Sequence, residues 1–289
     1  MLNKKAVLVT LSLSTFSPRK TDKRATRQVL TQHAAASDGG RFIKNLLPDE
    51  AIEPIQKLDG ELRQFHYDNT VPWGDEGQRL LPILRYETYT ERMRRSRAQR
   101  ESLVQRFLEN YESWVKGAAS RLSGLHNPGD YPAREDVAKK FQFKLHCQPV
   151  PDAGDFRVDV ANEELDALRS SVNERLAEAA RLAHQDLCRR LAQPLAAMVE
   201  RLFQPDAVFR DTLVGNLHQI VDLIPALNIT GDAQLETVRQ RVLADLSHYT
   251  PDQLRENKHD RKAAAAKAQA ILEQMSGFLG SADDLPQAA

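Results

Sequence analysis

One uninterrupted amphipathic run, residues 163–203, most constrains what this chain can fold into. It contains no glycine, and its apolar residues recur at intervals of three and four, the spacing of one helix face. A helix of this length extends about 60 Å, so we expect its apolar stripe to pack along a partner helix of similar length. Pro194 lies inside the run and predicts a kink or a break one turn earlier. The stripe consists of Leu165, Leu168, Val172, Leu176, Ala179, Ala183, Leu187, Leu191, Leu195, Met198 and Leu202.

A second long helical pattern follows Pro82 and continues to about Leu122. Its apolar seam includes Tyr89, Phe107 and Trp114, and glycines and prolines soon after Leu122 end the helix. Because the segment that joins the two runs is short, we predict that they form a long antiparallel helical hairpin.

Three segments alternate apolar and polar residues with the period of a β-strand. They are Val7 to Leu13, Phe141 to Cys147 and Phe156 to Val160, and turn-forming residues connect the last two. We expect these two to form a hairpin that the N-terminal strand joins at one edge. The predicted fold class is α+β and mostly α, with a small antiparallel sheet, the helical hairpin and a C-terminal helical layer.

The same patterns predict four successive regions. Residues 1–76 form a strand and short helices that pack on the sheet, and residues 77–204 form the long helical hairpin with the β-hairpin inserted at about 141–160. Residues 205–280 form the C-terminal helices, and residues 281–289 fray. The loop TVPWGDEGQRLLP is expected to be anchored by a buried Trp73. Leu254 to Ala270 is rich in charge and alanine, so we expect high helix propensity and low burial there.

Composition excludes several classes of protein. Lysine plus arginine and aspartate plus glutamate each number 40, so the whole molecule has no net field that would steer nucleic acid or acidic lipid. No apolar run approaches the roughly 18 residues of a membrane span. The first strand alternates apolar and hydroxyl residues and is not expected to act as an export signal. Cys147 and Cys188 lack metal or redox spacing, which favours free thiols in a reducing cytoplasm.

Motifs for catalysis are missing from the sequence. It contains no GxSxG, GxxxxGK[ST], GxGxxG or HExxH pattern, and its histidines occur singly. We therefore predict no catalytic residue, no cofactor and no metal site. A deep polar pocket around His126, Asp130 and Tyr131 would be the reason to reconsider an enzyme.

The segment ERMRRSRAQR carries five arginines within nine residues of the second long helix. At 100° per residue their side chains surround the helix and do not form the single stripe that a groove-binding helix uses. Arg100 falls on the apolar seam between Met93 and Phe107, where it must snorkel to solvent or find a carboxylate. The other four are Arg92, Arg94, Arg95 and Arg97.

A second basic cluster follows the first strand and could join these arginines in space. The two clusters together are candidates for contact with nucleic acid or with a protein partner. The second cluster consists of Arg19, Lys20, Lys23, Arg24 and Arg27.

Six segments follow the first strand in a distinctive order: RFIKNLLPDEAIEPI, TVPWGDEGQRLLP, a long helix ending NYESWV, HNPGDYP, FKLHCQPVPDAGDFRV and a second long helix. From about Val7 to Leu223 this order resembles a family of uncharacterised proteins encoded by tailed phages and prophages. Members of that family are often encoded near MoxR-type AAA+ ATPases and von Willebrand A-domain proteins, or among phage replication and recombination genes. The resemblance implies a cytoplasmic accessory protein, and it implies no catalytic residue.

These observations leave two hypotheses for function. The first is a non-enzymatic assembly or adaptor protein that forms a homo-oligomer or binds a protein partner through its long amphipathic helices. The alternative is a single-strand DNA-binding or annealing protein, which the arginine clusters and the phage resemblance favour.

Overall fold

The computed structural model describes residues 2–74, 77–154, 162–204 and 208–279. The fold is α+β and mostly helical, with a small antiparallel sheet of four strands, which confirms the predicted fold class. The strands are β1 Ala6–Ser14, β2 Arg19–Thr21, β3 Ile43–Asn45, β4 Val71–Pro72, β5 Arg79–Pro82 and β6 Gln142–Pro149. The helices are α1 Lys23–Gln32, α2 Asp49–Asp68, α3 Ile83–Leu122, α4 Arg134–Ala138, α5 Asn162–Phe203, α6 Thr212–Leu227, α7 Ala233–Leu246, α8 Pro251–Glu256 and α9 Lys258–Leu279.

The strand order of the sheet is β4-β5-β1-β6. β1 pairs antiparallel with β5, with Ala6 opposite Pro82, and on its other side it neighbours β6, the described strand of the predicted hairpin. The partner β5 comes from the proline- and glycine-rich stretch that we predicted to be a loop. The predicted strand from Phe156 to Val160 and the predicted frayed tail, 281–289, lie outside the described residues.

The chain divides into two compact units, and neither is a continuous stretch of sequence. Unit 1 comprises Met1–Thr10, Tyr67–Glu87 and Cys147–Ala289, and unit 2 comprises Leu11–His66 and Thr88–His146. The successive regions predicted from the sequence do not follow this division. The reason is that β1, α2, α3 and β6 each continue from one unit into the other, so that no single cut of the chain separates the units.

The core of unit 1 is built on α5, which packs against α9 and α6. From Ala179 to Leu202 its apolar stripe is buried, and the helix continues past Pro194 to Phe203. Ala264, Ala265 and Ala268 of α9 are buried in the same core, so the expected low burial of this segment is wrong. Alanine has a small side chain, which allows two helices to approach closely. Trp73 is buried in this core, as predicted.

The core of unit 2 is built on the seam of α3. Phe107 lies at its centre, with ring centroids 5.3 Å from Trp114, 5.3 Å from Phe141 and 6.3 Å from Phe16. Leu47, Ala51, Ile52 and Ile55, from the start of α2 and the residues before it, complete the cluster. The seam of α3 is therefore covered within unit 2 and the stripe of α5 from Ala179 onward within unit 1, which corrects the predicted helical hairpin.

Candidate functional site

The two predicted basic clusters both lie in unit 2, but they are far apart along α3. Strands β2 and β3 are anchored at the C-terminal end of α3, where Arg121 donates a hydrogen bond to the carbonyl of Asn45 at 2.5 Å and Lys44 donates one to Leu125 at 2.7 Å. Arg97 precedes Arg121 by 24 residues, or about 36 Å of helix. The structure therefore does not join the clusters into one patch.

The arginines of α3 surround the helix, as the spacing predicts. Arg92, Arg94, Arg95 and Arg97 are exposed, while Arg100 points inward. Arg95 forms an ion pair with Glu91, and Arg97 forms one with Glu101 at 2.9 Å. Such surface pairs contribute little to stability, but each places a carboxylate beside an arginine that was predicted to bind an anion.

Arg100 finds the carboxylate that its position on the apolar seam requires. Its Nε lies 2.6 Å from Oδ1 of Asp59, and both side chains are buried. Arg100 also donates to the carbonyl of Ser14 at 2.7 Å and to the hydroxyl of Thr15 at 3.0 Å. The pair is a structural element of the unit 2 core, and Arg100 is not available to a ligand.

In the N-terminal cluster, Lys20 belongs to a network of charges that closes on Lys44. Lys44 is buried, and its Nζ lies 2.8 Å from carboxylate oxygens of both Asp22 and Asp130, while Lys20 lies 2.8 Å from Asp130. Burial alone would raise the pKa of Asp130, but hydrogen bonds from Lys20 and Lys44 hold that pKa below its ordinary value. Burial likewise opposes the charge on Lys44, yet its two carboxylate partners raise its pKa. Sequence reasoning missed Lys44 because its partners are distant in the chain.

This network also bears on the enzymatic alternative at His126, Asp130 and Tyr131. The two carboxylate oxygens of Asp130 each lie 2.8 Å from a lysine ammonium. The hydroxyl of Tyr131 donates to the carbonyl of Leu46 at 3.3 Å, and burial raises the pKa of Tyr131. These contacts connect β2 and β3 to the 126–131 segment. The carboxylate of Asp130 serves in them as an ion-pair partner of two lysines.

Two other members of the N-terminal cluster line a cleft beside α1. Lys23 and Arg27 lie one turn apart on this helix, and Arg41 lies on the segment that returns toward β3. The cleft has a volume of roughly 1130 Å³. Its remaining lining residues are small or carry hydroxyl groups, apart from Leu30 and Asp38. Arg19 and Arg24 are exposed outside this lining. Arg41 is distant from the cluster in the sequence, so sequence reasoning did not group it with Lys23 and Arg27.

Unit 1 contains a histidine between a thiol and a carboxylate. Nε2 of His184 lies 3.5 Å from Sγ of Cys188, and Nδ1 lies 3.6 Å from Asp232. The order resembles a nucleophilic triad, but burial raises the pKa of Cys188 to about 11, and the residue is only 1% exposed. Asp232 also caps α7 through the amide of Leu235. A thiol that is neutral and inaccessible is not an effective nucleophile.

Comparison with known proteins gives no identity: no protein family, curated protein or solved structure matches the chain. The candidate sites therefore rest on the geometry of the chain itself. Across the described ranges, no group of three or more histidine, cysteine, aspartate or glutamate side chains is arranged to hold a metal ion. Within the same ranges, every helix is too short or too polar to cross a bilayer.

The described residues of unit 1 cover one apolar surface only in part. The stripe of α5 is buried from Ala179 onward, but Leu165 and Val172 are only half-buried, and Leu168 is 41% exposed. These three residues lie on the same face of the helix as the buried stripe, because they keep its spacing. We call Leu165, Leu168 and Val172 the open stripe.

Proposed function

We propose that this protein is a non-enzymatic assembly or adaptor protein that binds a protein partner through the open stripe of α5. The observation that carries the proposal is the exposure of Leu168 at 41% on a helix whose later turns are buried in the core of unit 1. A rigid helix that presents an apolar face suits docking into the groove of a partner.

The geometry supports the first turns of α5 as the binding element in two ways. The buried part of the helix anchors the open stripe, so little conformational entropy is lost when a partner binds. Around the stripe, Glu164, Asp166 and Arg169 are exposed, with both signs of charge present. An apolar centre with a polar rim is the arrangement found in protein interfaces.

The resemblance to tailed-phage proteins supports a class of partner. Proteins of that family are often encoded near MoxR-type AAA+ ATPases and von Willebrand A-domain proteins, so we propose one of these as the partner, in the cytoplasm of a bacterial host. Association with a second copy of the chain through the same stripe is the other form of assembly that we consider.

The test compares two substitutions that add the same charge to the same helix. Leu168→Glu places a carboxylate on the open stripe, and Ala167→Glu places one on the exposed opposite face. Tagged wild type and both variants are used to capture partners from nuclease-treated host lysate, and light scattering gives the molar mass of each purified protein. We expect the wild type and Ala167→Glu to capture the same ATPase or A-domain protein, and Leu168→Glu to lose it.

Equal capture by Leu168→Glu and the wild type would assign the contact to another surface. A protein that is strictly monomeric and captures no partner would contradict the adaptor function itself.

A further inference from the structure

The cleft beside α1 in unit 2 concentrates positive charge on a concave surface. Lys23 and Arg27 are four residues apart, so they lie on one face of α1, and Arg41 faces them from the returning segment. These three cations share the lining with one carboxylate, that of Asp38. The cleft therefore carries an excess of positive charge in a protein whose formal net charge is zero.

Hydrogen bonds fix the shape of this cleft. The hydroxyl of Thr26 donates to the carbonyl of Asp22 at 2.7 Å and accepts from the amide of Phe42 at 3.0 Å. The amide of Asp22 donates to the carbonyl of Phe42 at 2.9 Å. These contacts tie the returning segment to the start of α1, so the backbone of the adjacent Arg41 is held next to that helix without a ligand.

Asp22 precedes Lys23 directly in the sequence, but its carboxylate does not neutralise the positive charge of the cleft. The side chain of Asp22 caps α1 by accepting from the amide of Ala25 at 2.9 Å, and it binds Lys44 at 2.8 Å. Throughout the described part of the chain, no carboxylate forms an ion pair with Lys23, Arg27 or Arg41. Three cations without carboxylate partners around one concavity repel one another, and a bound polyanion would relieve that repulsion.

We propose that this cleft binds the phosphate backbone of a single-stranded nucleic acid. Lysine and arginine are the side chains that neutralise backbone phosphates, and the hydroxyls of Thr21, Thr31 and Ser37 in the lining are donors of the kind that contact phosphate and sugar. At roughly 1130 Å³ the cleft exceeds the usual range of small-ligand pockets, which favours an extended ligand.

The form of the cleft favours a single strand over a duplex. Proteins read duplex DNA by inserting a protruding helix or strand into a groove, whereas these cations line a concavity. Among the lining residues that the structure describes, none has an aromatic side chain on which a base could stack. We therefore expect binding that depends on salt and has little preference for base sequence.

The experiment measures binding of a fluorescent oligothymidylate of about 16 nucleotides by anisotropy at several salt concentrations. The cleft variant carries Lys23→Gln, Arg27→Gln and Arg41→Gln. The control variant loses the same charge at exposed positions of α3 and carries Arg92→Gln, Arg94→Gln and Arg106→Gln. Thermal unfolding of each variant is measured to check that the fold is unchanged. Free dTMP and polyglutamate serve as competitors of the oligothymidylate.

We expect the cleft variant to weaken binding at least tenfold and the control variant to weaken it less than twofold. The slope of log Kd against log salt should fall by about 2 in the cleft variant, because each phosphate contact on a single strand contributes about 0.7.

Equal losses in the two variants would overturn the site and leave only non-specific attraction. Displacement by dTMP or polyglutamate at an equal concentration of negative charge would overturn the strand as ligand, and a wild type that does not bind at low salt would overturn both.

Discussion

Unit 1 and unit 2 each bury an arginine, but they satisfy it differently. In unit 2, Arg100 pairs with the carboxylate of Asp59, and the surrounding core is rich in aromatic rings. In unit 1, Arg261 donates to the carbonyls of Arg201, Leu202 and Gln204 at the end of α5, next to a core of mostly aliphatic side chains. Removing one partner of the ion pair leaves a buried charge, whereas Arg261 is held by three backbone carbonyls, so the two units should respond differently to substitution.

Each unit contains one of the two tryptophans of the chain, which allows the units to be followed separately. Trp73 is buried in unit 1, and Trp114 packs against Phe107 in unit 2. In a Trp73→Phe background, fluorescence reports on unit 2, and in a Trp114→Phe background it reports on unit 1. The predictions on stability below are measured in these two backgrounds.

The largest effect is expected from Asp59→Ala. The substitution leaves the guanidinium of Arg100 buried and without its carboxylate, which costs about 3–5 kcal/mol of the free energy of unfolding. Urea denaturation followed by Trp114 should show this loss, while the Trp73 transition changes much less. The double variant Asp59→Leu with Arg100→Met removes both charges and should recover most of the loss. Two equal shifts at Trp73 and Trp114 would show that the units unfold together.

A smaller effect is expected in unit 1 from Ala265→Leu. Ala265 is fully buried on α9, so a larger side chain must force the helices apart, at a cost of about 1–3 kcal/mol. The matched control is Ala266→Leu, which adds the same atoms at an exposed neighbour. A midpoint for Ala265→Leu that equals that of the control would mean that this face of α9 is not tightly packed.

Acid should weaken unit 2 through the network around Lys44. The folded-state pKa values of Asp22 and Asp130 lie below their ordinary value of 3.8, so their contribution to stability is present above that pH and is lost as the pH falls through the lowered values. The pKa of Lys44 is raised, so its contribution is present below 10.5 and is lost as the pH rises through the raised value. Lys44→Met should flatten the pH dependence of the Trp114 transition, and an unchanged profile would contradict the role of the network.

The smallest effect is expected from Phe143→Ala on β6. If this strand were core, the loss would be about 3–5 kcal/mol. Phe143 is only half-buried, with the guanidinium of Arg97 5.9 Å from its ring, so we expect about 1 kcal/mol. Phe141→Ala should cost more, because that ring contacts Phe107 in the aromatic cluster. Denaturation followed by Trp114 compares the two, and a larger loss for Phe143→Ala would reverse this assignment.

The sequence by itself determined the elements whose signals are local. The periodicity after Pro82 and across residues 163–203 predicted α3 and α5, because a helix repeats every 3.6 residues whatever it packs against. Position on the seam of α3 predicted that Arg100 needs a carboxylate or solvent, since a buried charge requires a partner. The mixed composition of the loop around Trp73 predicted that this tryptophan is buried. The same composition did not indicate strands β4 and β5.

Only the tertiary structure decided which partners those elements find. An apolar stripe specifies burial but not the surface that buries it, and in this fold α5 packs against the alanine face of α9. The pairs Arg100–Asp59 and Lys44–Asp130, and the cleft that adds Arg41 to Lys23 and Arg27, join residues from separate stretches of the chain. Such contacts form where folding closes long loops, and sequence periodicity carries no information about which loops close.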